Sequence, residues 1–335
     1  MATPGCCRGS LSVAWGGREM QAVILAAGKG SRLHPLTLNR SKAMIPILGK
    51  PIVERVLETL VQNGIDEVVM VVSQHDGEIQ QHFQHYARPN VSIRFVVQPE
   101  RLGMANALSL AAPHIRDTFI LSACDNLTPP EHVAELLETH RRTGALATLS
   151  LMEIDRSLVS RTGVVEWCDG QVRRIVEKPR PEEAPSNISS LPLYVFAPDL
   201  LAYLPEVKPS PRGEYELQDA IQMLIERQGR VTGVFTRDRL QLTNAADLLA
   251  INRHYLTHGG DSPQLAPQSV GRHTHLITPL RIEEGTVIGP GCVIGPRVYI
   301  ERNCRIGADV LIKDAVILRD TVIEDGRQIV GEVVS

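Results

Sequence analysis

The chain has 335 residues, 43% of them hydrophobic and 22% charged, a composition that buries a core and a length that accommodates one large domain with a smaller one, or two ordinary domains. A formal net charge of −3 supplies no basic field for nucleic acid, so any phosphate binding has to come from a local site. No apolar run approaches the roughly 20 residues of a membrane-spanning helix, so neither a nucleic acid nor a membrane is expected as partner.

Residues 1–19 (MATPGCCRGSLSVAWGGRE) lack the charged start and continuous apolar stretch of a leader, because Gly16 and Gly17 interrupt LSVAW. They are expected to be a poorly ordered or misassigned extension, with the domain starting at Met20. From there short apolar runs alternate with helical patterns. QAVILAAG (21–28), DEVVMVVS (66–73), VSIRFVVQ (91–98) and TFILSACD (118–125) read as strands, with helices at 51–64, 103–115 and 129–144 between them and a polar helix after 73. That order predicts a parallel sheet covered on both faces, whose ligands sit beyond the carboxyl ends of the strands. Gly28 and Asp125 fall at two such ends.

After residue 145 the pattern turns antiparallel, with Asp169-Gly170 as a hairpin signal. Helical patterns return at ELQDAIQMLIERQG and AADLLAINRHYLTHG, and a Gly, Pro, Ser and Gln-rich stretch (259–274) reads as a linker. Beyond it Ile282, Ile288, Ile294, Ile300, Ile306, Ile312 and Leu318 recur every six residues. This is the hexapeptide period of a parallel β-helix, predicted over 275–330 with each aliphatic residue pointing into the prism and the coils left-handed. The fold class expected is α/β: a Rossmann-like mixed sheet over 20–258, followed by a short left-handed β-helix. The six cysteines are scattered, with no C-x-x-C pair, which fits free thiols in a reducing cytoplasm.

Chemistry is signalled first by LAAGKGSRLHPLT (25–37), a glycine-rich loop after a strand, where Gly28 and Gly30 let backbone N–H groups approach a phosphate. It is neither a Walker A loop nor a dinucleotide fingerprint, since Leu33 stands where the latter needs glycine. With SKAMIPILGKPIVERVLETL (41–60), QPERLGMANAL (98–108), SACDN (122–126), GVVE and VEKP (163–166, 176–179) and RGEYELQDAI (212–221), this loop resembles the ordered signature of sugar-1-phosphate nucleotidylyltransferases of the glucose-1-phosphate thymidylyltransferase and uridylyltransferase type. The resemblance covers residues 20–257, and a β-helix tail also occurs in that family.

The resemblance implies an enzyme that takes an NTP and a sugar 1-phosphate, uses Mg²⁺, and releases pyrophosphate. The nucleotide would lie along Leu25, Ala27, Gly28, Gly30, Ser31 and Arg32, with Gln98 and the backbone at Gly103 reading a pyrimidine. Arg32 and Lys42 would surround the triphosphate, and Lys178 with them and Asp125 would form the catalytic set. Gly163, Glu177, Lys178, Asn187 and Tyr194 would hold the sugar phosphate, although Pro192 stands where the family has glycine. Asp125 would be the principal Mg²⁺ ligand. No Asp occupies the second metal position, which leaves Gln241 or Asn244, and Cys124 replaces the usual glycine before Asp125. The tail points to a homo-oligomer. Three alternatives stay open: GTP-dependent transfer to mannose 1-phosphate, a bifunctional enzyme with acyl-transfer activity in the tail, and a non-catalytic regulatory paralogue that binds nucleotide sugar. Gln98 argues against the first, and the few coils, with His273 and His275 ahead of the repeats, against the second. The missing second Asp motivates the third.

Overall fold

A computed structural model describes residues 20–84, 86, 88, 90–258 and 265–335. The extension expected at 1–19 lies outside the described residues. Strands β1 (Gln21–Leu25), β2 (Glu67–Ser73), β3 (Ser92–Gln98) and β4 (Phe119–Ala123) pair in parallel in the spatial order β3-β2-β1-β4. Every residue of β1 is buried, as a central strand covered on both faces requires. The sheet reaches nine strands with β5 (Ala147–Glu153), β6 (Gly163–Cys168), β7 (Gln171–Glu177), β8 (Ile188–Phe196) and β9 (Val231–Phe235). β8 runs antiparallel to β4, β5 and β6, and its register on β5 slips between Leu191 and Tyr194, so Pro192 falls in an irregularity where no ladder N–H is needed. Asp169 and Gly170, at φ of +50° and +76°, turn β6 into β7, a conformation the Asp-Gly pair favours.

Helices α1 (Ile52–Gln62), α2 (Gly77–Gln84), α3 (Met104–Ala111), α4 (Pro130–Thr143), α5 (Leu217–Arg227) and α6 (Ala245–His258) divide between the two faces. Apolar residues of α1, α2, α4 and α6 share one core cluster with the sheet, while those of α3 and α5 share the other. In α1 the buried Ile52, Val53, Val56, Leu57 and Leu60 form one stripe. α4 stops where Gly144, at φ +57°, donates its N–H to the His140 carbonyl, a left-handed cap glycine adopts without strain. Two histidines of α4 face β5: His132 Nε2 is 2.7 Å from Ser150 Oγ, and His140 Nδ1 is 3.0 Å from Thr148 Oγ1.

The tail is a left-handed parallel β-helix whose three sheets hold four strands each. Ser269–Val270 already pairs with Val287–Ile288, so the first coil begins inside the stretch read as a linker, and the last strand, Val333–Val334, lies past the predicted end. The six-residue period holds from Ile282 to Ile312, but the next isoleucine inside the prism is Ile317, followed by Ile323 and Ile329. The corner after Ile312 is one residue shorter, with Asp314 at φ +50° and hydrogen-bonded by the Arg297 guanidinium. Leu318 is therefore not an inward repeat residue. It joins the core of the larger domain together with Tyr299, Val316 and Val333 from one column of the prism.

Polar contacts complete this joint. Arg40 forms a two-pronged pair with Glu301 at 2.8 and 3.0 Å, with both side chains buried. Glu301 also accepts the Arg319 N–H, the Tyr299 hydroxyl accepts the Gly49 N–H at 3.1 Å, and Arg319 reaches Glu78.

Removing one partner of a buried pair leaves the other charge desolvated and uncompensated. Glu301→Ala is expected to destabilise the protein by about 3–5 kcal/mol, measured as a lowered denaturation midpoint. Burial pushes His132 and His140 down to about 4 from 6.5, so each is held neutral in the fold. The unfolded chain then binds more protons between those values. The contribution of the two histidines is complete above pH 6.5 and is lost as pH falls through about 4. Replacing both by Gln should flatten urea midpoints across that interval relative to the parent.

Candidate active site

The carboxyl ends of β1 and β4 lie side by side, with Leu25 in register with Ala123, and the Cys124 N–H donates to the Leu25 carbonyl at 3.1 Å. The glycine-rich loop and Asp125 therefore start from adjacent points. A Cβ on Gly28 would meet nothing within 4 Å, so this backbone faces open space. Gly30 is different: its φ is +64°, and a Cβ there would lie 2.9 Å from Lys42 Cβ. Glycine at 30 thus lets the loop close onto the stem of Lys42. The Lys42 ammonium is hydrogen-bonded to the Asp125 carboxylate, and the side chains are 17% and 10% exposed, so two groups expected in the catalytic set neutralise each other at the strand ends. Arg32 is exposed, and so is Ser31, while Leu25 and Ala27 are buried and the Ala27 carbonyl accepts from Arg101 Nε at 2.7 Å.

Arg32 stands at the edge of a cavity of about 760 Å³, also lined by Gly163, Glu177, Lys178, Gln241 and Asn244. Glu177 is its distinctive group. Oε1 lies 3.1 Å from Lys178 Nζ, whereas Oε2 is buried without a hydrogen-bond partner. Burial raises its pKa, and the neighbouring Lys178 only partly offsets that. An orphaned buried acceptor is costly unless a ligand hydroxyl meets it. A Cβ on Gly163 would sit 3.1 Å from that same oxygen, so this glycine makes room for Glu177.

Several of the residues expected to contact substrate are also engaged within the protein. Tyr194 is fully buried, its phenol oxygen held by Ser190 Oγ at 3.3 Å, so its ring supports the cavity from the core. Asn187 is exposed and spends its amide on the Ile154 carbonyl at 3.2 Å across the β5–β8 pairing. Gln98 Nε2 donates to Asn106 Oδ1 at 2.8 Å and to the Gly103 carbonyl, leaving Oε1 as the atom free to read a base. Gly103, at φ +100°, packs against the backbone of Tyr215, which is 2.6 Å from where a Cβ would stand.

The metal candidates separate in the same way. Asn244 Oδ1 accepts the Asp247 N–H, and Asp247 Oδ2 accepts the N–H groups of Thr243 and Asn244, a reciprocal cap at the start of α6. Gln241 is in register with Asn126, one residue from Asp125. Among the described residues no three His, Cys, Asp or Glu cluster to hold a metal alone. One carboxylate with neutral oxygens nevertheless fits Mg²⁺ when phosphate oxygens and waters complete the shell.

The chain matches the family model described as Nucleotidyl transferase over residues 21–258. It belongs to the nucleotidyl transferase family. Residues 276–335 of this nucleotidyl transferase match a second model, the GMPPB C-terminal domain. It is 38% identical to UTP–glucose-1-phosphate uridylyltransferase AglF of Haloferax volcanii over 67% of this chain and 90% of that protein. It is 31% identical to the bifunctional protein GlmU of Methanococcus maripaludis over 81% of this chain, spanning 62% of that longer relative. Among solved structures, UDP-glucose pyrophosphorylase complexed with UDP-glucose superposes with a TM-score of 0.66 at 22% identity, over 72% of this chain and 99% of that one, which establishes the shared fold.

Sequence reasoning missed Arg239, whose Nε donates to Asn126 Oδ1 at 2.8 Å and which also lines the cavity. It missed Asp76 as well, buried near the glycine-rich loop, 3.7 Å from Arg101 and raised in pKa chiefly by burial. Arg239 was legible in principle, being two residues before Gln241 and so on the same side of an extended segment.

Because no three metal-ligating side chains cluster among the described residues, Mg²⁺ alone is expected to give no saturable calorimetric binding. UTP binding should tighten when Mg²⁺ is added, and Asp125→Asn should bring the two UTP affinities together.

Proposed function

We propose that this nucleotidyl transferase is a Mg²⁺-dependent sugar-1-phosphate nucleotidylyltransferase that transfers a pyrimidine nucleotidyl group from UTP or dTTP to a sugar 1-phosphate of glucose or N-acetylglucosamine type. A sugar-phosphate oxygen attacks the α-phosphorus in line, the bond to the β-phosphate oxygen breaks, and pyrophosphate leaves. The observation that carries this reading is the Lys42–Asp125 pair, set between a glycine-rich loop on one side and a cavity bearing Glu177 and Lys178 on the other. The names of the relatives, a UTP–glucose-1-phosphate uridylyltransferase and GlmU, support the substrate class.

Fixed charges dominate such a reaction, since like-charged oxygens must meet. Lys42 leaves Asp125 for the α-phosphate, where negative charge grows, and Arg32 takes the outer phosphates. Asp125 is then available for Mg²⁺, with Gln241 beside it; the ion, when bound with the triphosphate, neutralises phosphate oxygens. The orphaned oxygen of Glu177 accepts from a sugar hydroxyl, and Lys178 turns to the sugar phosphate. The reading includes a homo-oligomer in a reducing cytoplasm. It is supported by Val287 and Val322, exposed in one column of the β-helix, and by four free cysteines among the described residues.

A second reading, GTP with mannose 1-phosphate, is compatible with one observation. With its nitrogen engaged, Gln98 presents an acceptor alone, which suits the N3–H of uracil or thymine and equally the N1–H of guanine. One assay separates the readings: each NTP or dTTP, Mg²⁺ and a panel of sugar 1-phosphates, with pyrophosphate measured. Release with UTP or dTTP is expected. Release only with GTP and mannose 1-phosphate would replace the first reading by the second, and none with any pair would point to a binding module.

A further inference from the structure

We propose that Arg239 binds the phosphate of the sugar 1-phosphate, as a fixed cation built into the cavity where the strand carries a neutral Gln241 in place of a carboxylate. This rests on the nucleotidylyltransferase reading and adds a residue to it. The other cations of the cavity are already matched or lie open to water. Lys178 sits 3.1 Å from Glu177, while Arg32 and Arg161 are exposed. Arg239 forms no ion pair with the described residues. Its one hydrogen bond fixes Nε to Asn126 Oδ1 at 2.8 Å, and Asn126 Nδ2 is itself fixed on Thr128 Oγ1 at 3.1 Å. The guanidinium is thus held by a neutral, oriented amide one residue from Asp125.

Arg239 is half-buried, and a guanidinium partly drawn from water with no carboxylate in contact is left with unused binding capacity. The Nη groups, which make no hydrogen bond with the described residues, are the ones a planar fork uses to grip a phosphate. The location selects the ligand. Arg239 lines two cavities, one with Arg55, His254 and His258 and one with Glu177 and Lys178. Tyr194, which acts on it electrostatically, lines the second, where the proposed reaction holds the sugar phosphate, and Gly28 lies outside that lining. Two residues along the same extended segment, Gln241 brings no negative charge to compete for the guanidinium.

The test compares the parent with Arg239→Gln and Arg239→Lys. Glucose 1-phosphate, inorganic phosphate and glucose are titrated calorimetrically without Mg²⁺, and KM is then measured for both substrates. Arg239→Gln should weaken glucose 1-phosphate and inorganic phosphate by about 10- to 100-fold, leave glucose unaffected and raise KM for the sugar phosphate far more than KM for the nucleotide. Arg239→Lys, which keeps the charge without the fork, should recover part of the loss, and it serves as the test if the Gln variant does not fold. If phosphate affinity is unchanged while the thermal midpoint falls, Arg239 only anchors Asn126 and the proposal is overturned. Equal losses for both substrates overturn it too. A parent protein that releases pyrophosphate while the variants bind sugar phosphate normally refutes Arg239 alone. A parent that neither turns over nor binds any sugar phosphate refutes the functional reading with it.

Discussion

Parallel pairing of β1 with β4 is the constraint on which the rest of the site depends. Parallel strands bring like ends together, so aligning Leu25 with Ala123 obliges the loop after one and the carboxylate after the other to begin as neighbours. Gly30 then admits Lys42 to the same point. A shift of this register by one residue would send the β1 side chains to the opposite face of the sheet and separate Lys42 from Asp125 at the same time. Chemistry and core packing are therefore specified by one set of hydrogen bonds.

The site that results holds two of its cations in opposed pairs, with Arg32 and Arg239 outside them. Lys42 holds Asp125, and Lys178 holds Glu177. In the proposed reaction a chain with a net charge of −3 would gather phosphates without a basic surface, because binding would exchange one partner for another.

Much of this was legible in the sequence because it depends on periodicity and on residues with special backbone needs. The buried runs gave the parallel sheet, Asp169-Gly170 gave the hairpin, and the spacing of Ile282 through Ile312 gave the β-helix. What escaped depends on three-dimensional neighbours. The shortened corner at Asp314 is a single missing residue, and local pattern does not say whether Ile317 or Leu318 turns inward until the opposing domain is present. That Asn187 would bond a neighbouring strand and Tyr194 would line the cavity from a fully buried position depends on such neighbours. Asn244 lines the cavity and also caps a helix with the Asp three residues later, a partnership local pattern does not announce. Arg239 escaped because arginine is ordinarily a surface residue, and only the fold places it beside Asn126.

The buried Arg40–Glu301 pair has a consequence for how such chains can be recombined. Arg40 lies on the return leg of the glycine-rich loop, two residues before Lys42, and its acceptor comes from the tail. Gly49 and Tyr299 repeat the arrangement nearby. A tail exchanged for that of another family member would have to bring an acid for Arg40 and a hydroxyl for Gly49, or the loop would lose its footing. The seam between the two halves can therefore be inherited only as a matched set of residues from both sides.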